Sequence, residues 1–152
     1  MGTVRIERFD EKFIDQIMDI EKDSFSIPWV RTGFTEELAI PGSFIFLALE
    51  GKEENSREVL GYIVFRSLLD ELHLLKIAVR KETRKTGIAL KLMNKLLETA
   101  YLKKGHVIYL EVSAANEAAI NLYKKNGFIE TGRRYKYYGS EDALNMELIL
   151  AS

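Results

Sequence analysis

The sequence predicts an α/β (α+β) fold built on one mixed β-sheet with helices on its faces. Two observations predict it. Apolar residues alternate with period two over several short runs and recur at helical spacing between them, in the order β-α-α-β-β-β-α-β-α-β-β. Three of the strand runs are consecutive in the middle of the chain, which argues for a mixed sheet.

Val4–Arg8 alternates and reads as the first strand. Asp10 stands where it can cap a helix carrying Phe13, Ile14, Ile17, Met18 and Glu21 at helical spacing, and Pro28 ends that helix. Trp29, the only tryptophan, follows in a loop and is either a core aromatic or the wall of a substrate site. Thr32 or Thr35 opens a short helix with Phe34 and Leu38 that stops near Pro41 and Gly42. Ser43–Glu50 and Glu58–Leu68 read as two strands, and the polar segment Gly51–Arg57 between them as a solvated hairpin loop.

The stretch from Leu72 to Gly105 organises the rest. An apolar strand, Leu72–Val79, runs through a basic turn to Gly87 and then into a long amphipathic helix. Ile88, Leu92 and Leu96, with Ala89, Met93 and Leu97 one step over, give that helix one broad apolar face. Gly105 is expected at its C-cap. The first N–H groups of a helix have no internal partner, and the dipole places partial positive charge there. With Gly87 allowing close approach and Arg84 and Lys85 adding charge, the turn is either a phosphate-binding loop or an ordinary solvated turn.

His106–Ser113 is strongly β-prone, Asn116 caps a short helix over Glu117–Asn126, and Gly127 terminates it. Phe128–Arg133 and Ala143–Leu150 are the last strands, separated by the cluster Arg133-Arg134-Tyr135-Lys136-Tyr137-Tyr138. Within His106–Ser113, Glu111 interrupts an apolar run and shares a face with Tyr109 and Ser113. It is either a general base in a cleft or a solvent-facing strand residue. Tyr123 is either a core tyrosine or a proton donor. The basic, aromatic cluster could stack nucleic acid, but no matching basic stripe accompanies it.

Composition narrows the classes. The 152 residues suffice for one domain, 1–152, with a real core. The apolar content of 47% and charged content of 30% suit a globular protein in water, and a net charge of −1 gives no global field for nucleic acid or an anionic membrane. No cysteine is present, so no thiolate nucleophile or disulfide is available. His73 and His106 are isolated, and no metal site is expected on them. Neither a signal-peptide pattern nor a membrane-length apolar run is seen, which points to a cytoplasmic protein.

Together these pieces resemble the GNAT acetyltransferases, and within them the ribosomal-protein-alanine N-acetyltransferases. The family's acetyl-CoA signature appears as Arg84-Lys85-Thr86-Gly87-Ile88-Ala89 after the strand Ile77-Ala78-Val79. Its later signature appears as Leu110-Glu111-Val112-Ser113-Ala114-Ala115-Asn116, Ala119-Ile120-x-Leu122-Tyr123 and Gly127-Phe128. Phe25-x-x-Pro28-Trp29, Asp70-Glu71 and Arg133-Arg134-x-x-Tyr137-Tyr138 carry the closer likeness.

The resemblance implies a sheet splayed after the central strand, with acetyl-CoA as co-substrate and no metal. It implies that the backbone of Ile77, Ala78 and Val79 receives pantetheine and that Arg84, Lys85, Thr86, Gly87, Ile88, Ala89 and Leu90 hold the pyrophosphate, with Asn116 on the coenzyme arm. Glu111 matches the proton acceptor and Tyr123 the proton donor, while Trp29, Tyr137 and Tyr138 flank the amine. The expected partner is a protein N-terminus, that of a ribosomal protein included, with no nucleic acid or membrane and a monomer or weak homodimer as the oligomeric state. A small-molecule amine acetyltransferase and a non-catalytic acyl-CoA-binding module are the alternatives.

Overall fold

A computed structural model of the chain describes residues 2–53, 56–138 and 141–150, apart from the side chains of Tyr137 and Tyr138. Seven strands form one sheet in the order β1-β2-β3-β4-β5-β7-β6. They are β1 (Val4–Arg8), β2 (Ser43–Glu50), β3 (Glu58–Leu68), β4 (Glu71–Val79), β5 (Val107–Ser113), β6 (Ile129–Tyr138) and β7 (Glu141–Ile149). The β4–β5 pair is parallel and the other pairs are antiparallel, so the sheet is mixed as the consecutive strand runs predict. The helices are α1 (Ile14–Ser24), α2 (Arg31–Leu38), α3 (Ile88–Leu102) and α4 (Glu117–Lys125).

Each face of the sheet has its own core. On one, Ile88, Leu92, Met93, Leu96 and Ala100 of α3 and Ile120 and Tyr123 of α4 pack against Phe46, Ile63, Phe65, Leu72, Leu74 and the inward residues of β5 and β7. On the other, Ile17, Met18 and Ile20 of α1 and Phe34 of α2 pack against Ile45, Leu47, Val59, Tyr62 and Val64. Burying each of the larger aliphatic side chains contributes about 1.5–3 kcal/mol, so the apolar stripe of α3 alone fixes that helix to the sheet. Glu37 ties α2 down differently. It is 5% exposed and receives Nε and Nη2 of Arg66 at 2.6 and 2.7 Å and the Ser43 hydroxyl at 2.6 Å. The Arg66 guanidinium holds its carboxyl below the usual glutamate value, against the opposing effect of burial.

One irregularity in β4 decides which core its residues join. Phe65 pairs with Leu74 and Val64 with Lys76, so Leu75 has no partner on β3 and bulges. Strict alternation would put Leu72, Leu74, Lys76 and Ala78 on one face. The extra residue inverts the parity. Leu72 and Leu74 lie in the α3 core, whereas Ala78 lies in the α1–α2 core with Leu75 packed against it, and Ile77 and Val79 turn toward α3.

Three local expectations are corrected. The second helix opens at Arg31 with Val30 in extended conformation before it, so Thr32 and Thr35 lie inside, the Thr35 hydroxyl donating to the Thr32 carbonyl at 3.0 Å. The end of α3 is turned by Lys104 at φ 56°, not by Gly105. Gly105 is needed for room, because a Cβ there would stand 2.5 Å from Leu72 Cδ1. The Arg133–Tyr138 cluster is not a loop between strands but the second half of β6, bent by an irregularity between Arg134 and Tyr138.

Candidate active site

The strands β4 and β5 pair only from Glu71–Val107 to Leu74–Leu110. Beyond those residues β5 continues against β7 as far as Ser113, while β4 continues against β3 as far as Val79. The sheet therefore opens between them, starting at the Leu75 bulge. From Leu75 to Val79 one edge of β4 carries no neighbouring strand among the described residues. Such an edge is a row of main-chain donors and acceptors ready for an extended ligand. Arg84 Nε reaches back to the Val79 carbonyl at 3.2 Å and closes the far end of the row.

The turn after β4 leads into α3 without a side-chain cap. Gly87 is the N-cap residue at φ 88°, and Lys85 also has positive φ, 66°. The Thr86 hydroxyl bonds the Thr83 carbonyl and braces the turn. No atom lies within 4 Å of where a Gly87 Cβ would be, so the turn presents open space to solvent above the uncapped N–H groups of Ile88, Ala89 and Leu90. This cradle and the free edge of β4 fit a ligand with a phosphate-bearing head and an amide-bearing arm.

A cavity of about 480 Å³ lies on the other side of the opening, lined by His73, Leu74, Leu75, Tyr109, Leu110, Glu111, Arg134 and Asn145. Here the sheet face opposite α3 carries polar residues in place of a second helix layer. Glu111 sits on β5 opposite Asn145, with its side chain 25% exposed. Its carboxylate pairs with Arg134 Nε at 3.3 Å, so a strand of the terminal hairpin supplies the cation facing the candidate base. Tyr109 stacks obliquely on His73 at 5.4 Å. Desolvation, then the carboxylates of Glu71, Glu147 and Asp70, push the Tyr109 hydroxyl above its ordinary value.

The remaining sequence candidates are more scattered. Tyr123 is 6% exposed within the α3 core, its ring 5.8 Å from that of Phe128, and it is not among the residues lining the cavity. Asn116 commits its Oδ1 to the Ala119 N–H at 3.1 Å, capping α4. Trp29 lies in the loop between α1 and α2, packed tilted against Phe34 at 5.1 Å. The side chains of Tyr137 and Tyr138 lie outside the described residues, but the backbone that carries them is shaped by Asp142. Asp142 accepts the Lys136 N–H at 2.8 Å, where Lys136 takes φ 52°, and pairs with Arg133 at 3.0 Å. That N–H, then Arg133, holds the Asp142 carboxyl below its ordinary value.

Arg134, Asn145 and His73 were not singled out as site residues by sequence. Asn145 and His73 reach the cleft only through strand pairing, which no local pattern reveals. Arg134 was visible as a member of an unusual cluster, but its partner lies on another strand. Among the described residues, no group of three or more His, Asp or Glu could hold a metal, and no helix is long and apolar enough to cross a membrane.

Comparison with known proteins gives consistent matches. Residues 14–128 match the Acetyltransferase (GNAT) family profile. A Bacillus subtilis protein provisionally named a ribosomal protein bS18-alanine N-acetyltransferase is 31% identical, the match covering 95% of this chain and 93% of that one. An N-alpha-acetyltransferase of Sulfurisphaera tokodaii is 32% identical over 88% of this chain and 85% of its own. The crystal structure of the ribosomal-protein-S18-alanine N-acetyltransferase from Escherichia coli superposes with a TM-score of 0.85 at 25% identity, covering 99% of this chain and 96% of that one.

Proposed function

The chain belongs to the acetyltransferase (GNAT) family, and from that premise we propose that it acetylates the free α-amine of a protein N-terminus, with a ribosomal protein as the first substrate to try. It is an acetyl-CoA-dependent N-acetyltransferase. The observation that carries the reading is the opening between β4 and β5, which sets a free strand edge on one side and Glu111 on the other. Residues 1–152 form its single domain, working in the cytoplasm as a monomer or weak homodimer without nucleic acid, membrane or metal.

The residues divide between two partners. The main chain of Ile77 and Val79, on either side of Ala78, receives the amide groups of pantetheine as an added strand. Arg84, Lys85, Thr86, Gly87, Ile88, Ala89 and Leu90 receive the pyrophosphate at the helix start, and Asn116 faces the coenzyme arm. Acetyl-CoA supplies the activated acetyl group. Trp29, Tyr137 and Tyr138 wall the groove for the N-terminus, and Glu111 waits at its floor.

The chemistry favours an α-amine. With a pKa of ~8 against ~10.4 for lysine, roughly a tenth of α-amines are neutral at pH 7 and well under a thousandth of lysines. Glu111 then has a modest task, directly or through a water: to accept a proton that becomes acidic as nitrogen attacks the thioester carbon. Arg134 is the resident cation paired with Glu111 that must give way for the amine to approach the carboxylate. The Tyr123 hydroxyl stabilises the departing thiolate. With no cysteine in the chain, attack is direct. The names of the relatives above support the N-terminal substrate.

The test compares two peptides with labelled acetyl-CoA. A peptide with a free N-terminal Ala or Ser is acetylated, and the same peptide with a blocked N-terminus and an internal Lys is not. Mass spectrometry locates the acetate. Label on lysine, or on a free polyamine alone, replaces the N-terminal reading with a small-amine one.

A further inference from the structure

A buried charged cluster lies outside the cleft, and none of the roles assigned above accounts for it. Glu21 is on the apolar face of α1 and is 0% exposed. Its Oε2 accepts the Trp29 N–H at 2.8 Å and Lys76 Nζ at 2.5 Å, and its Oε1 accepts the Tyr62 hydroxyl. Lys76 Nζ stands 4.3 Å from the Phe25 ring centroid and 4.1 Å from that of Trp29. Burial draws Lys76 below the ordinary lysine value, opposed by its bond to Glu21, and burial followed by Glu21 raises the Tyr62 hydroxyl.

Stability alone gives a weak reason for such a cluster, since well-packed apolar residues usually serve as well as a buried ion pair. A geometric reason is stronger. The loop Phe25–Val30 leaves the Trp29 N–H without a helical or strand partner, and an acceptor must come from elsewhere. Glu21, in the last turn of α1, supplies it. A buried carboxylate then needs a counter-charge. Lys76 supplies that from β4, directly after the Leu75 bulge and directly before Ile77. The same ammonium lies against the Trp29 ring, which also packs on Phe34, so both backbone and ring of Trp29 are held.

We propose that Glu21 and Lys76 are positioning residues for the amine substrate: they tie the Trp29 loop to the strand that binds the coenzyme, and so fix the amine's groove relative to the acetyl group. This rests on the reading of Trp29 as a wall of that groove. Lys76 has no role in proton transfer, because its ammonium faces Glu21 and two rings and does not line the cleft.

The experiment uses the full chain, an N-terminal-Ala peptide at saturating acetyl-CoA, and three variants. Glu21→Met/Tyr62→Phe/Lys76→Met replaces the cluster by apolar groups and removes the acceptor for Trp29. Glu21→Gln/Lys76→Met keeps that acceptor. Trp29→Ala tests the wall itself. The apolar variant should raise the peptide KM about tenfold, as expected for losing a hydrogen bond to a charged group, with acetyl-CoA affinity unchanged by calorimetry. The glutamine variant should stay within about threefold of wild type, a rescue that a purely structural role would not produce. Trp29→Ala should raise the peptide KM as well.

A folded apolar variant with wild-type peptide KM, beside a raised KM in Trp29→Ala, overturns the positioning role and leaves the wall standing. An unchanged KM in Trp29→Ala overturns the wall and the positioning role with it. Should the apolar variant not fold, Glu21→Met/Lys76→Met, which keeps Tyr62, removes the Trp29 acceptor and the ion pair together. A peptide KM raised by about threefold or more is then expected, and an unchanged one overturns the proposal.

Discussion

On one side of the cleft the groups proposed to work are main-chain atoms: the free edge of β4 from Leu75 to Val79 and the N–H groups after Gly87. On the other they are side chains, held by partners from distant strands: Glu111 by Arg134 of β6, and the hairpin backbone by Asp142 of β7. The first wall is fixed as soon as the sheet opens and the turn takes its positive φ. The second depends on charges meeting correctly after three strands have paired. The difference implies distinct sensitivities. The wall proposed for the coenzyme should respond to backbone and steric change, and the wall proposed for the amine to loss of single charges.

The sharpest way to separate the walls is Glu111→Gln. It should lower kcat/KM for the peptide by about 10²–10⁴ near pH 7, the range of general-base catalysis. Activity should partly return as pH rises past ~8, where the α-amine loses its proton unaided. Acetyl-CoA affinity should not change. A variant that kept wild-type activity near pH 7 would remove Glu111 from the chemistry.

Gly87→Asp attacks the other wall. At φ 88° any side chain strains the turn, and a carboxylate opposes the anion expected there. Calorimetry should show acetyl-CoA affinity falling by about tenfold or more, with the far-UV spectrum unchanged. Equal affinity would mean that the turn is merely solvated.

The smallest effect should come from Asp142→Asn. Asp142 has its carboxyl lowered by the Lys136 N–H, so its contribution to the hairpin is present above the ordinary aspartate value of ~3.9 and is lost as pH falls through the depressed one. The Lys136 amide resonance should therefore titrate only below that ordinary value in wild type, and not at all in the variant. The variant's peptide KM should rise by about threefold with acetyl-CoA binding intact. A rise in acetyl-CoA Kd instead would join the two walls that the comparison separates.

The same contrast explains what the sequence made legible. β1, β2 and β3 have the expected bounds because alternation and flanking turn residues are local signals. The Arg84–Ala89 turn is local too, and the helix opens directly after Gly87, at Ile88, as its apolar spacing predicts. Three features depend on residues far apart in the chain and were not legible. The Leu75 bulge is set by pairing with β3, and it cannot be seen in β4 alone. Arg134 meets Glu111 only through the β5-β7-β6 order. Glu21 fell at an apolar position of α1 and Lys76 inside an apolar strand, two opposite charges in buried places. That pattern was a usable signal, though the sequence could not say that they meet.

The free edge of β4 also bears on how chains of this protein could associate. An unpaired strand edge invites another chain to stack on it. The outer edge at β6 is blunted by its irregular register, by Lys136 in a left-handed conformation and by Arg133 and Arg134. The inner edge has no such protection, being Leu75, Lys76, Ile77, Ala78 and Val79. Its defence is location. It lies in the opening between two strands of its own sheet, where a foreign segment would have to arrive alone, without the neighbouring strands that a growing β-stack requires. The shape proposed to admit one extended ligand thus excludes the second layer on which aggregation depends.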